Sequence, residues 1–101
     1  MDMRHLLEQA KALERALQQT DERLRQHESE GSAGGGAVKV RVNGAGDVTF
    51  LKISPELVAG KDAGLVEQTV LAALRQACTA ARTFREKERA ALTGGLKLPD
   101  F

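Results

Sequence analysis

A seam of mostly apolar residues runs through the first quarter of the chain: Met3, Leu6, Ala10, Leu13, Leu17, Thr20, Leu24 and His27, with Leu7 and Ala16 widening its edge. Spacings that alternate between three and four are the mark of one helix face, here in heptad form. The positions between are nearly all Glu, Gln, Arg and Lys, which favour both helix and water. The pattern predicts a helix over residues 2–28. Thr20 and His27 weaken the far end of the seam, which predicts a loosely packed helical pair rather than an autonomous coiled coil.

This helix must end near Glu28 to Glu30, because Gly31-Ser-Ala-Gly-Gly-Gly36 follows. By composition alone that run reads as a flexible linker. The period then changes to two: Val38, Val40 and Val42 alternate with Lys39 and Arg41, a half-buried strand with one wet face. Asn43-Gly-Ala-Gly-Asp47 has the length and glycines of a hairpin turn. Val48-Thr-Phe-Leu-Lys-Ile53 returns as the antiparallel partner, and the sheet region spans 29–54. Phe50 and Leu51 stand in succession, so which of them points inward stays open. Ser54-Pro55-Glu56 closes the strand and suits a short helical turn with Pro at its first position.

Gly60 and Gly64 bracket a further break, and Asp62 is a good N-cap for a second long helix over 62–92, followed by a tail over 93–101. One stripe of that helix reads Val66, Val70, Ala73, Ala77, Ala80 and Phe84; beside it run Leu71, Leu74, Cys78 and Ala81. Two stripes make a face wider than one sheet contact requires. Helices of about 27 and 30 residues are roughly 40 and 45 Å long, whereas strands of this size span only about 20 Å. The helices therefore overhang their own sheet, and a symmetric second copy is the expected cover.

Composition agrees with that geometry. The 101 residues suit one domain, and 42% hydrophobic with 29% charged residues marks a folded chain. The apolar content is mostly Leu, Val and Ala, with Phe50, Phe84 and Phe101 the only aromatics. A core of such small side chains buries limited area per protomer, which again favours a homodimer. Cys78, the only cysteine, can form no internal disulfide and reads as a small buried residue. No run approaches the ~18 apolar residues of a membrane span, and Met-Asp-Met-Arg-His opens an amphipathic segment rather than a signal sequence. The expected compartment is the cytosol, with no membrane partner.

Catalytic chemistry is not expected. The glycine run is followed by Ala37-Val38, not by the Lys-Ser/Thr of a phosphate loop, and it precedes a strand where such loops open a helix. Gly44-Ala-Gly46 lacks the third glycine of the dinucleotide fingerprint. His5 and His27 lie on the order of 33 Å apart along one helix, too far to share a metal or a proton. The reading is of no enzyme, no cofactor, no metal and no small-molecule substrate. Charge is balanced overall, at +1, but residues 82–97 hold five basic and two acidic groups, a net of +3. That segment suits either a solvated helix end or an anion-binding surface.

Five pieces in order, the Gln- and Leu-rich first helix, Glu30-Gly-Ser-Ala-Gly-Gly-Gly36, Val38-Lys-Val-Arg-Val-Asn-Gly44, Lys52-Ile-Ser-Pro-Glu-Leu57 and Gly94-Gly-Leu-Lys-Leu-Pro-Asp-Phe101, resemble the YbaB/EbfC family of nucleoid-associated proteins over essentially the whole chain. Ser54 stands where the family usually has Asp. The resemblance implies an α+β fold, α-β-β-β-α, with a three-stranded antiparallel sheet between two long helices. It makes the glycine-rich segment an edge strand. It also implies a tweezers-like homodimer that binds double-stranded DNA and associates with the bacterial nucleoid, influencing its organisation, gene expression or DNA repair. No helix-turn-helix, zinc finger or aromatic RNA-binding strand is present to read base edges, so contacts are expected mainly to the DNA backbone. Arg4 and Lys11 on the first helix, with Arg82, Arg85, Lys87 and Arg89 on the second, are the expected contacts. The alternative from another class is a protein-interaction module that docks onto a repair or replication partner.

Overall fold

The protein is described by a computed structural model over residues 2–94. Its elements run α1 (Met3–Gln26), β1 (Glu28–Ala33), β2 (Val38–Asn43), β3 (Val48–Ile53), α2 (Pro55–Ala59) and α3 (Ala63–Gly94). The strands form one antiparallel sheet in the order β1-β2-β3. The α-β-β-β-α order expected from the resemblance is therefore the observed one, with β1 at an edge. The tail expected from residue 93 onward overlaps the last turn of α3 and otherwise lies outside the described residues.

The glycine-rich run is a strand and a turn, not a linker, and α1 stops earlier than residue 28. His27 alone joins α1 to β1, its N–H donating to the Arg23 carbonyl at 3.0 Å. The small side chains have a packing reason. Ser29, Gly31 and Ala33 pair with Val42, Val40 and Val38 and share their face of the sheet, directly beneath α3. A methyl group on Gly31 would collide with the Ala73 carbonyl oxygen and lie 2.6 Å from the Ala77 nitrogen. Composition that reads as flexibility is thus a condition for helix and strand to touch. Gly34, Gly35 and Gly36, at φ of 66, 68 and 92°, then make the left-handed turn into β2.

The core lies between β2 and α3. Val38, Val40 and Val42 are fully buried against Ala73, Ala77 and Ala81, with Val70, Leu74 and Cys78 packed around them. The two stripes read from the sequence merge into one contact face along α3, running from Val66 through Thr69, Ala73, Ala77 and Ala81 to Phe84; Ala80 and Leu71 fall outside it, exposed. Asp62 caps this helix as expected, its carboxylate accepting from the Leu65 N–H at 3.1 Å. Ser54 does the same for α2, accepting from the Glu56 N–H at 3.2 Å.

The first helix reverses the expected gradient. Thr20 and Leu24, near the end that looked weak, are the buried residues of α1, while Met3, Leu6, Leu7, Leu13 and Leu17 are exposed. His27 lies flat on Phe84 of α3, ring centroids 3.6 Å apart and 9° from parallel. Gly44 fixes the same end, its N–H donating to the Leu24 carbonyl at 2.7 Å and to that of His27 at 3.0 Å. This end is anchored where it meets the β2–β3 turn, because the Gly44 N–H there takes up carbonyls at the end of α1 that have no partner within the helix. The rest of α1 projects away from the sheet. The molecule extends 69 × 24 × 16 Å with a radius of gyration of 19.7 Å, against about 13 Å for a compact chain of this length.

A register shift between Arg41 and Val42 resolves the Phe50/Leu51 ambiguity. Val48 pairs with Val42 and Phe50 with Arg41, which leaves Thr49 as the extra residue of a bulge. Leu51 and Ile53 consequently share the valine face, and Phe50 is turned onto the wet face. Helix α3 covers β1 and β2 but stops short of β3, so Val48 and Leu51 remain 54% and 52% exposed on an otherwise buried face.

Candidate nucleic-acid interface

The six expected contact residues fall into two groups that one protomer does not bring together. Arg4 and Lys11 lie on the projecting part of α1, both exposed. Arg4 sits in the first turn, where its N–H donates to the Asp2 carboxylate that caps the helix. Arg82, Arg85, Lys87 and Arg89 lie where α3 passes the end of the sheet and the base of α1. That meeting point is marked by the ion pair between Arg23 of α1 and Glu88 of α3, at 3.2 Å. Arg4 is 19 residues before Arg23, about 28 Å away along the helix.

The α3 cations are not equivalent. Arg82, Arg85 and Arg89 are spaced by three and four and share a face; Lys87 lies off it. Arg85 is half-buried, and its guanidinium donates to the Gly44 carbonyl at 3.4 Å, tying α3 to the β2–β3 turn. Arg82, Lys87 and Arg89 are exposed. Arg85 thus holds the base of the projection together, while Arg82 and Lys87 present charge to solvent.

Further charges on α1 were not singled out by the sequence pattern. Arg25 pairs with Glu22 at 2.6 Å, and Gln26 donates to the same carboxylate at 3.0 Å. The hydrogen bond from Arg25, and then the Arg25 charge, hold the Glu22 carboxyl below the usual range, and the same bond with the Glu22 charge pushes the Arg25 guanidinium up. Arg23, by contrast, is partnered across elements. Nothing in the spacing of Arg23 and Glu88 signals that pairing, because it depends on where α1 crosses α3.

The outer face of the sheet holds a second set of cations. Lys39 and Lys52 are direct cross-strand partners, and next to them Arg41 lies over the Phe50 ring, its guanidinium carbon 4.7 Å from the ring centroid. The sequence marked Lys39 and Arg41 as wet but left Phe50 undecided; the bulge decides it. Among the described residues no group of three or more His, Cys, Asp or Glu side chains could hold a metal ion. No helix among them is long and apolar enough to cross a membrane.

Residues 1–96 match the YbaB/EbfC DNA-binding family. A nucleoid-associated protein of Anaeromyxobacter dehalogenans is 39% identical over 99 residues, covering 98% of this chain and 96% of that protein. One from Chloroflexus aggregans is 37% identical over 97 residues, covering 96% and 97%. The crystal structure of an uncharacterized protein from Helicobacter pylori superposes with a TM-score of 0.82 at 23% identity, covering 93% of this chain and 99% of that one. That structure shares the fold. With sequence, fold and coverage in agreement along nearly the whole chain, the protein belongs to the YbaB/EbfC DNA-binding family.

Proposed function

We propose that this chain is a nucleoid-associated protein that binds double-stranded DNA as a homodimer, mainly through the phosphate backbone. Family membership supports DNA as the partner, and the relatives' names support the bacterial nucleoid as the location. The observation that carries the dimer is the uncovered part of the core face. Val48 and Leu51 continue the buried valine face to the free edge of β3, and Val58 and Leu65 are exposed nearby in the chain. A second copy related by a two-fold axis covers such a surface with itself. It also supplies a second pair of projecting helices, so that Arg4 and Lys11 with Arg82, Lys87 and Arg89 contact phosphates from two sides. Arg85 contributes chiefly by holding the base of the projection. The dimer's role is in nucleoid organisation, with effects on gene expression or repair that follow from occupying DNA.

The test is a duplex-binding titration at several salt concentrations with the wild type and an Arg82→Gln/Arg85→Gln/Arg89→Gln variant. Phosphate contacts carry no base information, so the variant loses affinity similarly on all sequences. Each phosphate no longer neutralised lowers the log–log salt slope by about 0.9, up to roughly four phosphates per dimer from Arg82 and Arg89. A Lys39→Gln/Arg41→Gln variant controls for loss of charge. Equal weakening by that control, with both proteins folded, refutes the helix-end contact. Absence of duplex binding at low salt leaves a protein-docking role for the exposed helices instead.

A further inference from the structure

The outer face of the sheet carries an arrangement that the fold does not require. Lys39 and Lys52 stand directly opposite each other in the β2–β3 ladder, and like charges so placed destabilise a sheet. Two residues along, Arg41 covers Phe50. All four side chains are exposed. Among the described residues Lys39, Lys52 and Arg41 form no ion pair, although Glu30 lies across from Arg41 on β1. Beside the two lysines, Gly36, Ala37, Ser54 and Pro55 complete an open cavity of about 280 Å³. Helix α3 packs on the opposite face, and the uncovered apolar surface of Val48 and Leu51 is also on that opposite side. A surface aromatic, three cations and a cavity therefore share a face left open by both.

We propose that this face binds single-stranded nucleic acid, a base stacking on the Arg41–Phe50 pair and an adjacent phosphate held between Lys39 and Lys52. An unpaired base offers a π-face that stacks on an aromatic ring or a guanidinium plane whatever its identity. In a duplex that face is already covered by neighbouring base pairs, so the same surface discriminates single strands from double. The β3 bulge is the enabling feature. Were the ladder to run on regularly from the Val42–Val48 pair, Phe50 would oppose Val40 on the α3 side, and Thr49 and Leu51 would take the outer face in place of Phe50 and Lys52. Glu28 and Glu30 on β1 repel phosphates and keep the strand on the β2–β3 side. This surface is separate from the helix-end contact with duplex DNA, and the two stand or fall independently.

Fluorescence anisotropy with a labelled twelve-nucleotide oligothymidine, alongside a labelled duplex, tests the inference on the full chain. The single strand is expected to bind the wild type. Phe50→Leu, which keeps an apolar side chain but removes the ring, weakens it about ten-fold. Lys39→Gln/Lys52→Gln also weakens it and lowers the salt slope by about 0.7 for each phosphate no longer neutralised. The helix-end triple variant leaves single-strand affinity within about two-fold, while its duplex affinity falls. Circular dichroism melts establish that each variant folds, and the lysine pair tests the face should Phe50→Leu not fold. No binding of the single strand, or unchanged binding by the folded lysine variant, overturns the proposal. So does loss of single-strand binding in the helix-end variant, which would put both ligands on the helices. Single-strand binding without duplex binding sinks only the duplex reading.

Discussion

Replacing Gly31 by alanine adds one methyl group at the closest approach of β1 to α3. The ideal position of that carbon lies 2.6 Å from the Ala77 nitrogen and 3.1 Å from its Cβ, and it also collides with the Ala73 carbonyl oxygen. The obstructing atoms are helix backbone, so no rotamer change relieves the contact. Restoring ordinary separation moves α3 outward by on the order of 1 Å, which parts Ala73 and Ala77 from the fully buried valines of β2. Overpacking of this kind costs about 1–3 kcal/mol, with the upper end expected where backbone must move. For a domain of this size each kcal/mol lowers Tm by roughly 4–8 °C, so Gly31→Ala is expected to lose more than about 10 °C. The informative comparison is Gly35→Ala. Gly35 has nothing within 4 Å but sits at φ +68°, so its cost is the left-handed backbone alone, about 1–2 kcal/mol. Thermal melts of both variants at one protein concentration decide the matter, since association shifts apparent stability. A Gly31→Ala protein that melts within about 2 °C of wild type, or no lower than Gly35→Ala, refutes the close-packing account of this strand.

Sedimentation equilibrium at low micromolar concentration is expected to give twice the protomer mass, and Leu51→Lys, on the uncovered core face, to shift it toward the protomer; a folded wild-type monomer would refute the interface. Calorimetry with ATP is expected to find no binding dependent on the glycine turn, because Ala37 stands where a phosphate loop needs lysine; binding abolished by Gly35→Val would contradict this. The Glu22 carboxyl lies below its ordinary value in the folded chain, so its stabilising contribution is present above the unfolded value and is lost as pH falls through the lowered one. An NMR titration is expected to find Glu22 protonating at lower pH than in an Arg25→Gln variant, and an unchanged midpoint would discount the Glu22–Arg25 pair.

Much of the architecture is written in local patterns. The 3.6-residue period of α1 and α3, the alternation of Val38, Val40 and Val42, and the capping residues Asp62 and Ser54 each act within a few positions, so each is legible without neighbours in space. Length added a further inference: helices longer than their sheet must overhang it. Three features depend on contacts between distant segments and were open or reversed in the sequence. Gly31-Ser-Ala-Gly-Gly-Gly36 has the composition of a linker, and only the approach of Ala73 and Ala77 makes its small side chains a requirement of β1. Leu6, Leu13 and Leu17 look like the strong end of α1, yet Thr20, Leu24 and His27 are held, because that is where the helix meets Gly44 and Phe84. The direction of Phe50 follows from one unpaired residue at Thr49, and a register shift of one exchanges the two faces of a strand. The contact residues divide in the same way. Sequence located the cations of α3 by their local excess, but charge counting assigns no partners. Only the packing of the β2–β3 turn beside α3 separated Arg85, which donates to the Gly44 carbonyl, from Arg82 and Lys87, because a side chain's role depends on what folding brings beside it.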